Sequence, residues 1–313
     1  MTRAMVLAAG LGTRLQPLTG ELPKPLVPIG DAPLLAHLAR ALAGAGLPEL
    51  TLNVHHLPDK FASIIERLDA RVTVIHEPVI RGTAGGVAGA RACLGPAPVV
   101  VWNGDILIDA PPLAALLAFS GDGLCLTVAP RAAGAGTVGL DRAGRVVRLR
   151  GERFGEEAAS GDYVGLCALG ARALAGLPEQ GCLIGDWALP ELRAGRAVES
   201  VRLEGGWRDV GSLASYLAAN QAWLDAGPRG VQGGSYQGRG ASVGAGVRLA
   251  RSLVGDGAVV EGAGALERCV VWPGARAVAP LRDAVVTTAG LVVRCDRAPE
   301  GHRDDPGASP SDS

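Results

Sequence analysis

Residues Leu7–Gly30 read L-A-A-G-L-G-T-R-L-Q-P-L-T-G-E-L-P-K-P-L-V-P-I-G, and they continue an apolar run that begins at Ala4. The run Ala4–Ala9 reads as a buried strand. Glycines at its end let backbone amides approach a phosphate chain, because Gly10 and Gly12 carry no side chain to hold the ligand off. Thr13 adds a hydroxyl, and Arg14 adds a planar cationic fork suited to phosphate oxygens. Lys24 stands between Pro23 and Pro25, which hold the backbone extended and make the lysine a positioned point charge. The spacing is neither the P-loop G-x-x-x-x-G-K-[ST] nor the dinucleotide-binding G-x-G-x-x-G.

Outward from this stretch, residues 1–130 alternate apolar runs with helical patterns. Strands are expected at Leu50–Val54, Val72–Ile75, Val99–Trp102 and Leu124–Val128. Helices are expected at Leu34–Ala45, Asp59–Leu68, Ala84–Leu94 and Pro112–Phe119. Such alternation implies an α/β fold with a largely parallel sheet covered on both faces. Val138–Leu140 and Val146–Leu149 flank D-R-A-G-R, a hairpin, and a strand follows at Tyr163–Leu169. Helical patterns return at 171–175 and 187–194, followed by a strand at Ser200–Leu203 and a helix at Leu213–Leu224. From Gly230 the pattern changes. Val247, Leu253, Val259, Ala265, Val271 and Ala277 recur every six residues, and Val254, Val260, Leu266, Trp272 and Val278 follow one step behind. A six-residue period with small residues between aliphatics predicts a left-handed parallel β-helix of about three coils. The expected division is a catalytic domain at 1–228, the β-helix at 229–295 and a disordered tail at 296–313.

Composition narrows the classes. The 313 residues are 48% hydrophobic and 19% charged, with a formal net charge of −1, which suits a chain with a sizeable core and excludes a globally basic nucleic-acid binder. The apolar stretches break before the length of a membrane span, and the N-terminal run lacks a signal-peptide cleavage region, so a cytoplasmic protein is expected. The six cysteines show no C-x-x-C spacing and read as free thiols in a reducing compartment. Of 30 basic residues only Lys24 and Lys60 are lysines, which singles out the lysine of the Leu7–Gly30 stretch.

The whole Leu7–Gly30 string resembles the signature of the sugar-1-phosphate nucleotidyltransferases, the nucleotide-sugar pyrophosphorylases. Three further segments fall in the family's order: R-G-T-A-G-G-V at 81–87, V-W-N-G-D at 101–105 and G-G-W-R-D-V-G-S at 205–212. The resemblance implies a Rossmann-like doubly wound sheet of the nucleotide-diphospho-sugar transferase type. It implies transfer of a nucleotidyl group from an NTP to a sugar 1-phosphate, with release of pyrophosphate. Nucleotide contacts are implied at Leu7, Ala9, Gly10, Gly12, Thr13, Arg14, Gly82, Thr83 and Asn103. Catalytic roles fall to Arg14, Lys24 and Asp105, sugar-phosphate contacts to Lys24, Gly136 and Asp162, and Mg²⁺ ligation to Asp105 and Asp209. Many relatives carry an E-K-P element after the hairpin. Here 148–155 reads R-L-R-G-E-R-F-G, with Arg150, Glu152 and Arg153 as candidates to stand in. His55 and His56, in N-V-H-H-L, read as structural. The substrate reading leans to mannose 1-phosphate or a heptose 1-phosphate with GTP. The alternatives are a uridylyltransferase acting on a hexosamine-type phosphate such as N-acetylmuramate 1-phosphate, and a catalytically silent nucleotide-sugar-binding regulator. No nucleic-acid or membrane partner is expected, and the β-helix is expected to mediate homo-oligomerisation.

Overall fold

The computed structural model describes residues 3–295, so the tail expected at 296–313 lies outside the described residues. The chain forms two compact units. One holds the residues up to Gly10 together with Leu38–Trp207, and the other holds Leu11–His37 together with the residues from Arg208 onward.

In the first unit the strands Val99–Asn103, Ala4–Leu7, Glu49–Val54 and Arg71–His76 lie side by side in parallel. Three of them are buried over nearly their whole length, as central parallel strands are; Ala4–Leu7 and Val99–Trp102 are continuous apolar runs, whereas Glu49–Val54 alternates and buries Thr51 and Asn53 as well. The fourth, Arg71–His76, lies at the edge and is largely exposed. The sheet then turns antiparallel. The long strand Ala159–Leu169 pairs with Val99–Asn103, with Leu124–Arg131 and with Val138–Leu140. It changes partners across an irregularity between Tyr163 and Cys167, where Gly165 takes a φ of +74°. A side chain at Gly165 would stand 2.8 Å from Asn103 Nδ2, so glycine is required on both counts. The expected hairpin forms, with Asp141 Oδ1 accepting from the amides of Ala143 and Arg145.

The helix expected at Asp59–Leu68 is mostly absent. Pro58–Phe61 makes a 3₁₀ turn, and only Ala62–Ile65 is α-helical. Phe61 is the one residue of these two turns that is buried, so no apolar stripe holds a longer helix to the core. The helical pattern at 187–194 begins instead as a π-helical turn at Leu183–Ala188, followed by an α-helix at Leu189–Arg193. All six cysteines are free. Among the described residues no helix is long and apolar enough to cross a membrane.

In the second unit the C-terminal strands stack into a parallel β-helix. Tyr236 pairs with Leu253 and Leu253 with Val270, a step of 17 residues, and Val270 pairs with Val285, a step of 15. A strict six-residue period around three faces would step by about 18. Here the first coils close one residue short of that, and Gly262 and Gly264, at φ +89° and +103°, turn a corner of the long strand Val259–Glu267 within its pairing. The next coil turns the same corner faster, since Gly262 pairs with Ala279 and Leu266 with Leu281. The slip moves the interior positions. Val254, Val260, Leu266 and Trp272 are buried as the period predicts, whereas Val278 is 66% exposed and Ala277 and Ala279 point inward instead. Strand Val292–Arg294 pairs antiparallel with Ala284–Val286 and ends the stack.

One charged pair in the first unit is nearly sealed from solvent. Arg148 Nε donates to Glu157 Oε2 at 2.8 Å, and the Ser160 hydroxyl donates to Glu157 Oε1 at 2.6 Å. These bonds, the guanidinium first, hold the Glu157 carboxyl down at about 2. A folded-state value below the unfolded one stabilises the fold fully above the unfolded value, near pH 4.5, and the contribution disappears as pH falls through 2. A depression of that size corresponds to about 3 kcal/mol at neutral pH. Urea unfolding is therefore expected to show Glu157→Gln less stable than the parent by about 2–3 kcal/mol at pH 7, with roughly half that difference at pH 3. A difference that does not depend on pH over this range would contradict the assignment.

Candidate active site

The Leu11–Val27 segment is built from 3₁₀ turns at Thr13–Leu15, Leu18–Gly20 and Lys24–Leu26, and Leu15 and Leu18 are its buried anchors. Gly12 sits at φ +65°, and a Cβ there would come within 2.8 Å of Thr19 Cγ2 and 3.3 Å of Lys24 Cβ. Its carbonyl accepts from the Leu15 amide at 3.0 Å and from the Thr19 hydroxyl at 2.9 Å. Only glycine fits this crossing. Gly10 differs, because it is exposed with open space where a Cβ would stand.

This loop brings Arg14 and Lys24 onto one carboxylate. Arg14 Nη2 donates to Asp209 Oδ2 at 3.3 Å, and Lys24 Nζ lies 3.6 Å from Asp209 Oδ1. The side chain of Lys24 is 10% exposed and that of Arg14 is 53% exposed. Two residues on, a Cβ at Gly211 would meet both Asp209 oxygens at 2.8 Å and Arg14 Nη2 at 2.9 Å. Ser212 then caps the helix Leu213–Asp225 through a reciprocal capping box with Ser215. Asp209 Oδ1 is buried and has no hydrogen-bond partner among the described residues. The Lys24 ammonium at 3.6 Å is too far for a hydrogen bond, so this carboxylate oxygen keeps acceptor capacity of the kind a hard cation uses. Asp209 therefore fits the role of a metal ligand. No group of three or more His, Cys, Asp or Glu capable of holding a metal occurs among the described residues, so protein carboxylates alone would leave positions for other oxygen donors.

The first unit places a second group at the carboxyl ends of its parallel strands, where open α/β folds bind ligands. Leu7 is in register with Asn53 on one side and with Asn103 on the other. Ala8 and Ala9 are buried beyond it. The Ala8 amide donates to Asn53 Oδ1 at 2.9 Å, Asn53 Nδ2 donates to Glu77 Oε1 at 2.8 Å, and Glu77 Oε2 accepts from the Arg81 amide at 3.1 Å. Asn53 and Glu77 are each 2% exposed. This buried pair fixes the start of the glycine loop, and a Cβ at Gly86 would press within 2.7 Å of Asn53 Nδ2. Asp105 is half-buried in the turn after Val99–Asn103, a turn closed by Trp102 Nε1 donating to the Ile106 carbonyl at 3.0 Å and Gly104 N to the Leu7 carbonyl at 2.8 Å.

Gly82 and Thr83 open the helix Gly82–Ala90 and are tied to residues 181–183. A Cβ at Gly82 would stand 2.5 Å from the Gly181 carbonyl, and Thr83 Oγ1 accepts from the Leu183 amide at 2.7 Å. His55 Nδ1 lies 2.7 Å from the Glu77 carbonyl, in keeping with a structural role. Gly136 and Asp162 come together. Asp162 is 3% exposed, accepting from Arg131 Nε at 2.5 Å and from the Thr137 amide at 3.1 Å. The Gly136 carbonyl accepts from Arg148 Nη1 at 2.9 Å.

The candidates for the missing E-K-P element are occupied: Glu152 pairs with Arg193, Arg153 with Glu157, and Arg150 reaches Cys182 Sγ. Arg131 instead lies beside Gly136, its Cγ 3.1 Å from where a Gly136 Cβ would be. Sequence reading missed Glu77, Arg131, Arg148 and Glu157. Each acts across a turn or between strands, with no local pattern to mark it.

The Nucleotidyl transferase family matches residues 3–226. The chain is 27% identical over 303 residues to mannose-1-phosphate guanylyltransferase 1 of Arabidopsis thaliana, covering 88% of this chain and 82% of that protein. It is 31% identical over 248 residues to mannose-1-phosphate guanyltransferase of Schizosaccharomyces pombe, covering 71% of this chain and 64% of that one, so it spans less than two thirds of the yeast protein. In fold it resembles the crystal structure of HddC from Yersinia pseudotuberculosis, with a TM-score of 0.59 at 21% identity over 71% of this chain and 100% of that one. The glycine-crossed loop with its paired cations and the extent of the match agree, and the chain belongs to the nucleotidyl transferase family.

Proposed function

We propose that this nucleotidyltransferase joins the nucleotidyl group of an NTP to a sugar 1-phosphate, giving an NDP-sugar and pyrophosphate, with GTP and mannose 1-phosphate as the leading pair. The observation that carries this reading is the clamp of Arg14 and Lys24 on Asp209. The names of the relatives at 27% and 31% identity support the choice of substrates.

In this reaction a phosphate oxygen of the sugar phosphate forms a bond to the α-phosphorus, and the bond from that phosphorus to the β-bridging oxygen breaks. The nucleophile is already an anion, so no side chain has to remove a proton. What the chain must supply is alignment and positive charge. Gly10 and Gly12 leave room for the triphosphate against the loop backbone. Arg14 engages the triphosphate and the departing pyrophosphate. Lys24 offsets phosphate charge near the reacting phosphorus. Asp105 and Asp209 are the residues proposed to hold Mg²⁺. Bound there, the ion would supply a hard positive centre for phosphate oxygens of both substrates. Arg131, braced by Asp162 and beside Gly136, is proposed to meet the sugar phosphate where relatives use E-K-P. Residues 1–228 carry the reaction in this proposal, and the β-helix at 229–295 offers a surface for self-association.

The test of the function is pyrophosphate release with four NTPs against a panel of sugar 1-phosphates. GTP with mannose 1-phosphate is expected to turn over fastest, and binding without turnover of any pair would point to a regulator instead. Asp105→Ala and Asp209→Asn are each expected to lower turnover by about 10³-fold while leaving the melting temperature within a few degrees of the parent. Full Mg²⁺-dependent activity in either variant would remove that residue from the ion. Arg131→Gln is expected to raise KM for the sugar 1-phosphate about tenfold while KM for the NTP stays within about twofold. Equal rises in both constants would argue against a sugar-side role.

A further inference from the structure

Lys24 lies between two points at which the loop that carries it is tied to the C-terminal coils, directly at Glu21 and through the helix Leu213–Asp225 at Pro28. Three residues before it, Glu21 Oε1 accepts from the Ala289 amide at 3.0 Å, in the turn that leads to the last strand of the β-helix. Four residues after it, the Pro28 carbonyl accepts from the Tyr216 hydroxyl at 2.8 Å. That hydroxyl in turn accepts from the indole Nε1 of Trp272 at 3.0 Å. Asn220 reinforces the same point, since its Oδ1 accepts from the Gly30 amide at 2.9 Å and its Nδ2 donates to the Tyr216 carbonyl at 3.0 Å. A Cβ at Gly30 would collide with the Trp223 ring at 2.1 Å, so the loop is seated on the helix without a gap. Tyr216, Asn220 and Trp272 are completely buried.

The stem of Lys24 is buried too, so its ammonium can move only if the backbone moves. After Lys24 the backbone is held by Tyr216 of the helix Leu213–Asp225, whose hydroxyl takes the Trp272 N–H from the β-helix, and before it the Glu21 side chain takes the Ala289 amide from the β-helix. The Tyr216 hydroxyl also sits on the helix whose cap, Ser212, follows Asp209 by three residues. One buried hydroxyl therefore bears on both the cation and its counter-ion.

We propose that Trp272 and Glu21 are positioning residues for Lys24, and that the β-helix in this chain is part of the apparatus that aims the lysine ammonium at phosphate. This inference rests on the phosphate-neutralising role given to Lys24 above. A buried Tyr hydroxyl with both a donor and an acceptor in place holds one geometry. Removing the indole N–H frees the hydroxyl to turn, and a displacement of about 1 Å at a reacting group can cost about 10²-fold in rate.

The experiment uses the full-length chain and measures pyrophosphate release and melting temperature. Trp272→Phe and Glu21→Ala are each made in the parent and in Lys24→Ala. Trp272→Phe is expected to lower kcat/KM about tenfold in the parent but less than about twofold in Lys24→Ala, because the position it controls is then empty. Glu21→Ala, at an exposed bond, is expected to show the same dependence with a loss of about threefold, and it keeps the test decisive if Trp272→Phe does not fold. Equal losses in both backgrounds, or a lowered melting temperature with kcat/KM unchanged, would overturn the inference and leave the functional reading standing. A Lys24→Ala enzyme as active as the parent would overturn the functional reading and this inference with it.

Discussion

Arg14 and Lys24 come from one short loop and both meet the carboxylate of Asp209. Without that carboxylate the two cations would repel one another. The two contacts differ in kind. The Arg14 bridge is half exposed and 3.3 Å long, the sort of pair worth about 0–1 kcal/mol, so phosphate oxygens can compete for the guanidinium at little cost. Lys24 is walled in, and its charge stays where the backbone puts it. In the proposed reaction one cation would follow the triphosphate as it binds and leaves, while the other would mark a fixed point.

The fold was legible wherever burial is continuous along the chain. The strands Ala4–Leu7 and Val99–Asn103 carry apolar runs of four residues, and Leu50, Leu52 and Val54 supply the apolar positions of Glu49–Val54. Legibility failed where a pattern lacked a surface to pack on. The 59–68 stretch has helical spacing but buries only Phe61 over its two helical turns, and helix formation stops after Ile65. The six-residue period was a sound sign of a β-helix, but a period in sequence counts residues, whereas a coil closes in space. A corner made through Gly262 and Gly264 uses one residue fewer than the period predicts, and the Ala279–Leu281 corner fewer still. Because adjacent strand residues face opposite ways, the one-residue loss that pairs Val260 with Ala277 turns Val278 outward.

The candidate site divides along the same line. Gly12, Arg14 and Lys24 could be read because a phosphate loop must keep its glycines and cations within one segment. What holds them could not. Asn53 and Glu77 are 24 residues apart, Tyr216 and Trp272 are 56 apart, and none belongs to a repeating pattern that would announce a buried hydrogen bond. Arg131 is a similar case. Nothing in its own neighbourhood separates it from the other arginines, and only the strand pairing that brings Ala129 opposite Asp162 sets it against Gly136.

That abundance of arginine bears on Lys24 itself. The chain uses lysine twice among 30 basic residues, and the other, Lys60, is exposed at the head of a short helical turn. At Lys24 the side chain is buried, with its Cβ close against Gly12. An equally enclosed arginine does occur in this chain, since the side chain of Arg148 is also 10% exposed, but its guanidinium is met by Glu157 and by the Gly136 and Ala135 carbonyls. An ammonium is compact and directs its charge as a point. In the proposed reaction the compact ammonium at Lys24 would thus serve as the fixed charge, and the half-exposed guanidinium at Arg14 as the one that follows the phosphate.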